Sequence, residues 1–260
     1  MPPLYCPCVS PIETLRYGPL ADQVIDLTFP TTATGLPPLV VLLHGGFWRV
    51  AYDRLHVRVV ADALTARGYS VANVEYRRVG GGGGWPTTFT DVAQAVDTLE
   101  DVLADRVDLD AVAYVGHSAG GHLALWAALR DRLPVGAPGR ALAAPRVRGV
   151  VALAPVADLV EVDRLGLSRG AVAELLGGSP ATVPERFAAT DPAGLGAPGA
   201  TTVVVHGQVD DTVPIAVSRG YRDRTGVQLV EVPGTGHFEL VDPASAAWPV
   251  VVDALRDALR

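Results

Sequence analysis

Lysine is absent from the chain: all 21 basic side chains are arginine. That absence excludes chemistries that depend on an amine, including Schiff-base cofactor enzymes, P-loop nucleoside triphosphatases and Ser–Lys hydrolases. Cysteine is nearly absent, with only Cys6 and Cys8 in a proline-rich start. A C-x-C pair is at most half a thiolate metal site, and no further cysteine exists to complete one, so both are read as incidental thiols and no metal site is expected. An excess of positive charge is missing too. A net charge of −7 with scattered arginines would repel a phosphate backbone, which argues against nucleic acid as a partner. No stretch approaches the ~18 apolar residues of a membrane span, and Met1 to Cys8 holds neither a basic leader nor a long apolar run. The expectation is a soluble, cytoplasmic chain that does not contact a membrane.

What is present is a large apolar fraction, 49% of 260 residues, enough to build one core. A single domain over residues 1–260 is therefore expected. Short β-branched runs lie at residues 39–43, 70–74, 111–115, 147–153, 202–206 and 227–232. Continuous apolar runs of this length suit parallel strands covered on both faces. Helix-like stretches separate them, at about residues 53–67, 90–104, 119–130, 215–224 and 243–259. The series reads βαβ and predicts an α/β fold with a mostly parallel sheet and helices on both faces. Residues 23–29 are expected to supply antiparallel edge structure. Residues 80–84 are five consecutive glycines, read as a mobile loop anchored by Trp85-Pro86. Residues 131–146 read as a surface excursion. Residues 156–200 lack a clear strand and are too long for a structureless loop, which predicts a small cap over a site.

The chemistry gathers at Gly116-His117-Ser118-Ala119-Gly120, a G-x-S-x-G turn between a predicted strand and a predicted helix. In that context the turn is an elbow that pushes the Ser118 hydroxyl into the open, and the Ala119 N–H points at an oxygen under attack. A serine needs a base, and the base an orienting acid, both on later loops. Of six histidines, His237 directly follows the last strand-like run. For the acid, Asp210 is preferred, Asp211 is the near rival and Asp158 an outside candidate. The order Ser118, Asp210, His237 is that of the nucleophile-elbow architecture. Residues 42–48, Leu-Leu-His-Gly-Gly-Phe-Trp, end the first buried run and offer the N–H groups of Gly46 and Phe47 as further oxyanion donors, with His44 bracing the loop. Neither metal nor organic cofactor is required. Trp48, Trp85 and Phe238 are expected to line the substrate pocket together with Phe47, whereas His122 and Trp126 read as core. Arg77 and Arg78 read as loop-bracing residues.

These motifs resemble the α/β-hydrolases of the esterase and kynurenine-formamidase-like group. The resemblance rests on His44-Gly45-Gly46-Phe47-Trp48, which fits the H-G-G-x-W form of arylformamidases, on Gly116-His117-Ser118-Ala119-Gly120-Gly121, on His206-Gly207-x-x-Asp210-x-x-Val213-Pro214, and on Gly236-His237-Phe238. It covers about residues 38–240. It implies an α/β-hydrolase fold and a serine hydrolase with Ser118 as nucleophile, His237 as base and Asp210 as orienting acid. The expected substrate is a small carboxylic ester, or alternatively an N-formyl aryl amide. A short-peptide peptidase and a non-catalytic binding protein of the same fold are the less favoured readings. Phe47 stands where hormone-sensitive-lipase-type esterases carry a third glycine, so its ring is expected to narrow the acyl side of the site.

Overall fold

The computed structural model describes residues 11–260; Cys6 and Cys8 lie outside them. Eight strands form one sheet: β1 (Glu13–Arg16), β2 (Val24–Thr28), β3 (Pro38–Leu43), β4 (Ser70–Val74), β5 (Asp108–His117), β6 (Gly149–Leu153), β7 (Thr201–Gly207) and β8 (Gln228–Val232). Their spatial order is β1-β2-β4-β3-β5-β6-β7-β8. The β1–β2 and β2–β4 pairs are antiparallel and every later pair is parallel. The predicted class is therefore the observed one, and the six apolar runs are β3 to β8.

Side chains alternate across a strand, so each strand feeds two cores. Leu39, Val41 and Leu43 of β3 enter one, while Val40 and Leu42 enter the other. On the first face lie α2 (Thr87–Val102), α3 (Ala119–Ala128) and α8 (Ile215–Thr225); on the second lie α1 (Arg58–Thr65) and α9 (Trp248–Ala258). α3 shows no apolar stripe because all ten of its residues are buried, as a helix apolar all round should be.

Between β6 and β7 the chain forms four short helices, α4 (Leu159–Arg164), α5 (Ala171–Leu176), α6 (Pro184–Thr190) and α7 (Pro192–Leu195). This segment is tied to the loops near the carboxyl ends of β3 and β4. Arg49 donates from Nε to Glu174 at 2.9 Å and from Nη1 to the Ser168 hydroxyl at 2.8 Å, and the Trp85 amide donates to the Leu175 carbonyl at 2.7 Å.

The glycine run is a compact turn rather than the loose linker its composition suggests. The amides of Gly81 and Gly83 both donate to the Arg78 carbonyl, and the Gly84 amide donates to the Thr88 hydroxyl. Among the described residues, no helix is long and apolar enough to cross a membrane.

Candidate active site

β5 enters α3 through Ser118, whose φ of +57° and ψ of −118° lie in a region that side chains rarely occupy. The surroundings over-determine it. The Ser118 amide donates to the Leu153 carbonyl at 2.8 Å, and its carbonyl accepts from the His122 amide at 3.1 Å and the Val156 amide at 3.2 Å. The tight reversal also requires two glycines. A Cβ on Gly116 would run into the Gly120 backbone, and one on Gly120 into the Leu43 carbonyl.

Asp210 follows β7 and His237 follows β8, neighbouring parallel strands whose loops emerge at the same sheet edge. His237 Nδ1 donates to Asp210 Oδ2 at 2.6 Å. The other carboxylate oxygen, Oδ1, accepts from the amides of Thr212 at 2.9 Å and Val213 at 2.8 Å. His206 Nε2 approaches Oδ2 at 3.2 Å while also donating to the Val213 carbonyl at 2.9 Å, and its Nδ1 accepts from the Ser218 hydroxyl at 2.7 Å. Burial pushes the Asp210 carboxyl up, but hydrogen bonds from His206 and His237 outweigh it, and its pKa ends well below the usual range. This carboxylate stays ionised. Asp211 is exposed and, among the described residues, meets only the Thr212 hydroxyl, at 3.2 Å. Asp158 caps α4 through the Glu161 amide and pairs with Arg224 at 2.8 Å, so neither alternative acid reaches His237.

The loop after β3 takes left-handed φ at three successive residues, Gly46 (+104°), Phe47 (+49°) and Trp48 (+56°). His44 braces it from beneath. Its Nδ1 donates to the Gly45 carbonyl at 2.9 Å and its Nε2 to Glu75 Oε1 at 3.0 Å, while its ring stacks on Tyr76 at 4.4 Å. Burial raises the Glu75 carboxyl, but His44, the Arg54 amide and Arg78 together bring its pKa below the ordinary value.

Ser118, His237, Gly46 and Phe47 share a cavity of about 50 Å³, whose wall also includes Tyr52, His56, His117, Thr212 and Phe238. Ala119 begins α3 beside it and is fully buried. Trp48 and Trp85 do not line this cavity. Trp48 is fully buried, its ring edge-on to His122 at 5.2 Å, because the left-handed turn at 47–48 sends Phe47 to the cavity and the next side chain into the core. Trp85 packs on Phe89 at 5.7 Å, held by the hydrogen bond from its amide to the Leu175 carbonyl. Both aromatic assignments to the pocket are corrected accordingly; Phe238, 56% exposed, stands at the lip. His122 and Trp126 are core, as expected.

Sequence reasoning missed Tyr52, His56, Thr212 and the two inner histidines. For His206 a signal existed, since it lies four residues before Asp210 at a strand end. Tyr52 and His56 carry none, because they arrive when the chain folds back after the Gly46 turn. Among the described residues, no three His, Cys, Asp or Glu side chains gather as a metal site.

The BD-FAE family model matches residues 25–224. The chain is similar to the probable carboxylic ester hydrolase LipM of Mycobacterium tuberculosis, at 27% identity over 241 residues, covering 84% of this chain and 53% of that protein. It thus spans about half of LipM's length. It is also similar to the kynurenine formamidase of Drosophila melanogaster, at 28% identity over 115 residues, covering 43% of this chain and 36% of that protein. Among solved structures, esterase B from Lactobacillus rhamnosis superposes with a TM-score of 0.81 at 23% identity, covering 97% of this chain and 86% of that one, a likeness of fold.

Proposed function

The chain belongs to the BD-FAE family, and from that membership and the geometry of its site we propose that it is a serine esterase acting on small carboxylic esters through an acyl-enzyme. One observation carries the reading: a strained elbow serine shares a cavity with a histidine whose Nδ1 is held at 2.6 Å by a buried, ionised carboxylate. With Nδ1–H committed to Asp210, the free nitrogen of His237 is Nε2, the one that can take a proton from Ser118.

Ser118 Oγ attacks the ester carbonyl as His237 takes its proton. The negative oxygen then meets the N–H groups of Ala119, at the start of α3, and of Gly46 and Phe47. The C–O bond to the alcohol breaks, His237 returns the proton to the leaving oxygen, and water repeats the sequence to release the acid. The His44–Glu75 pair supports this step by fixing the Gly45 peptide, and with it the donors that follow. Residues 156–200 act as a small cap, docked by Arg49 and Leu175.

The test is fluorophosphonate labelling together with hydrolysis of p-nitrophenyl acetate. Wild type should do both and Ser118→Ala neither; equal labelling of the two proteins would end the assignment of Ser118, and a wild type that neither takes up label nor hydrolyses the ester would favour a non-catalytic protein of this fold. A second reading, formamidase action on N-formyl aryl amides, draws on the His44-Gly45-Gly46-Phe47-Trp48 loop and the Drosophila relative. It needs the same groups, so N-formylkynurenine belongs in the same assay, where a kcat/KM above that for the acetate ester would favour it.

A further inference from the structure

The residue that precedes Ser118 at the elbow is a histidine buried where an apolar side chain would pack without cost. His117 is 2% exposed, and its ring lies 4.4 Å from that of His237 at an interplanar angle of 50°. Its Nε2 donates to the His237 carbonyl at 2.9 Å. Its Nδ1 is buried with no hydrogen-bond partner among the described residues. Burial drives the ring's pKa down to about 3, so the imidazole is neutral and its single proton sits on Nε2, the nitrogen that faces an acceptor.

An unpaired buried acceptor is a penalty that leucine or phenylalanine would avoid. What histidine supplies in return is the one N–H directed at His237. Among the described residues, no other hydrogen bond reaches the main chain of His237. Asp210 fixes the far edge of the His237 ring, and His117 fixes the backbone from which that ring projects. Two attachments define an orientation where one leaves a rotation free. Because His117 and Ser118 are consecutive, this bond ties the base to the same rigid elbow that carries the nucleophile.

We propose that His117 is a positioning residue, whose Nε2–H holds the His237 main chain so that the base stays aligned with Ser118 through both proton transfers. The proposal rests on the serine-esterase reading above. Its cost and its benefit separate cleanly: the unpaired Nδ1 affects stability, whereas the bond to His237 affects turnover. Misplacing a reacting group by about an ångström costs on the order of 10²-fold in rate.

The experiment compares His117→Leu, which removes the donor, with His117→Gln, whose amide nitrogen can reach the position of Nε2, using p-nitrophenyl acetate kinetics and thermal melts. The expected result for His117→Leu is a kcat lower by about 10- to 100-fold, with KM within about twofold and a melting temperature no lower than that of wild type. His117→Gln should recover kcat to within about threefold of wild type. If the leucine variant does not fold, His117→Phe, which keeps a ring without a donor, takes its place. A leucine or phenylalanine variant with wild-type kcat overturns the proposal, as does a glutamine variant equally impaired. Activity lost in step with the cooperative melt also overturns it, in favour of a purely structural role. A wild type that neither hydrolyses the ester nor takes up fluorophosphonate overturns the reading of the site itself, and this proposal falls with it.

Discussion

Asp210 grips His237 with one oxygen, at 2.6 Å, while its other oxygen is held by the amides of Thr212 and Val213. The carboxylate therefore cannot rotate away, and the imidazole tautomer is fixed with its proton on Nδ1. Asp210→Asn would present an amide that stabilises the opposite tautomer. We expect kcat to fall by roughly 10⁴-fold, the scale for a triad acid. Exposed Asp211, converted to asparagine, should change kcat by less than about threefold, as surface substitutions usually do. The reverse ranking in steady-state kinetics would move the acid to the neighbouring residue.

A second prediction concerns Glu75, which is 1% exposed. It accepts from His44 and the Tyr76 amide through Oε1 and from the Arg54 amide through Oε2, with Arg78 Nε at 3.4 Å. Glu75→Gln leaves buried positive charge uncompensated, a loss of about 3–5 kcal/mol where such a pair is broken. Denaturant titration should show that loss, and kcat should drop as the Gly45–Phe47 loop loses its brace. An unchanged unfolding midpoint would mean that His44 and the arginines find other partners.

Phe47 carries the expectation on substrate size. Its backbone N–H survives substitution while its ring leaves the cavity wall. Phe47→Ala should raise kcat/KM for hexanoyl relative to acetyl esters by about tenfold or more, since one methylene in an apolar pocket is worth ~1–3 kcal/mol. Superimposable acyl-length profiles for the two proteins would show that the ring sets no limit.

Asp191 supplies a pH-dependent prediction. Its carboxyl is 5% exposed and accepts from the amides of Leu159 and Ala193; burial, with the nearby Asp158 charge, raises its pKa to about 6. An acid with a raised folded pKa favours the native state at low pH, and that contribution is lost as pH rises from its unfolded value near ~4 through about 6. His117, at about 3, and His122, at about 4, act in the opposite sense. Their stabilisation is present above their unfolded pKa near ~6.5 and is lost as pH falls below it. Asp191→Asn keeps an acceptor for both amides and removes only the first effect. Its melting temperature should exceed that of wild type by several degrees at pH 7.5, and should fall more steeply toward pH 5. Parallel curves for the two proteins would show that folding does not shift the Asp191 pKa.

The legible parts of this protein were those written into short stretches of chain. Strands β3 to β7 were readable because their covered stretches are mostly apolar, and β4 falls on its expected residues 70–74; the edge strand β8 is mostly half-exposed and was readable from its β-branched residues alone. The start of α9 was placed five residues early, at 243 instead of Trp248, because a turn precedes it in which the Ser245 amide donates to the Asp242 carbonyl. Its apolar content resembles helix, but its hydrogen bonds do not. The edge strand β1, largely exposed, has no apolar run to announce it.

By itself the sequence determined the α/β class, the elbow at Ser118 and the candidates for base and acid, since each is a local pattern of residue type and spacing. Which of Asp210, Asp211 and Asp158 meets His237 was decided by tertiary structure, because the adjacency of β7 and β8 brings one carboxylate to it. The burial of Trp48, the pocket wall from Tyr52 and His56, and the bond from His117 to the His237 carbonyl were likewise decided in three dimensions. Where a loop side chain points depends on its backbone dihedrals and on which distant segment packs against it, and neither is encoded in the residues beside it.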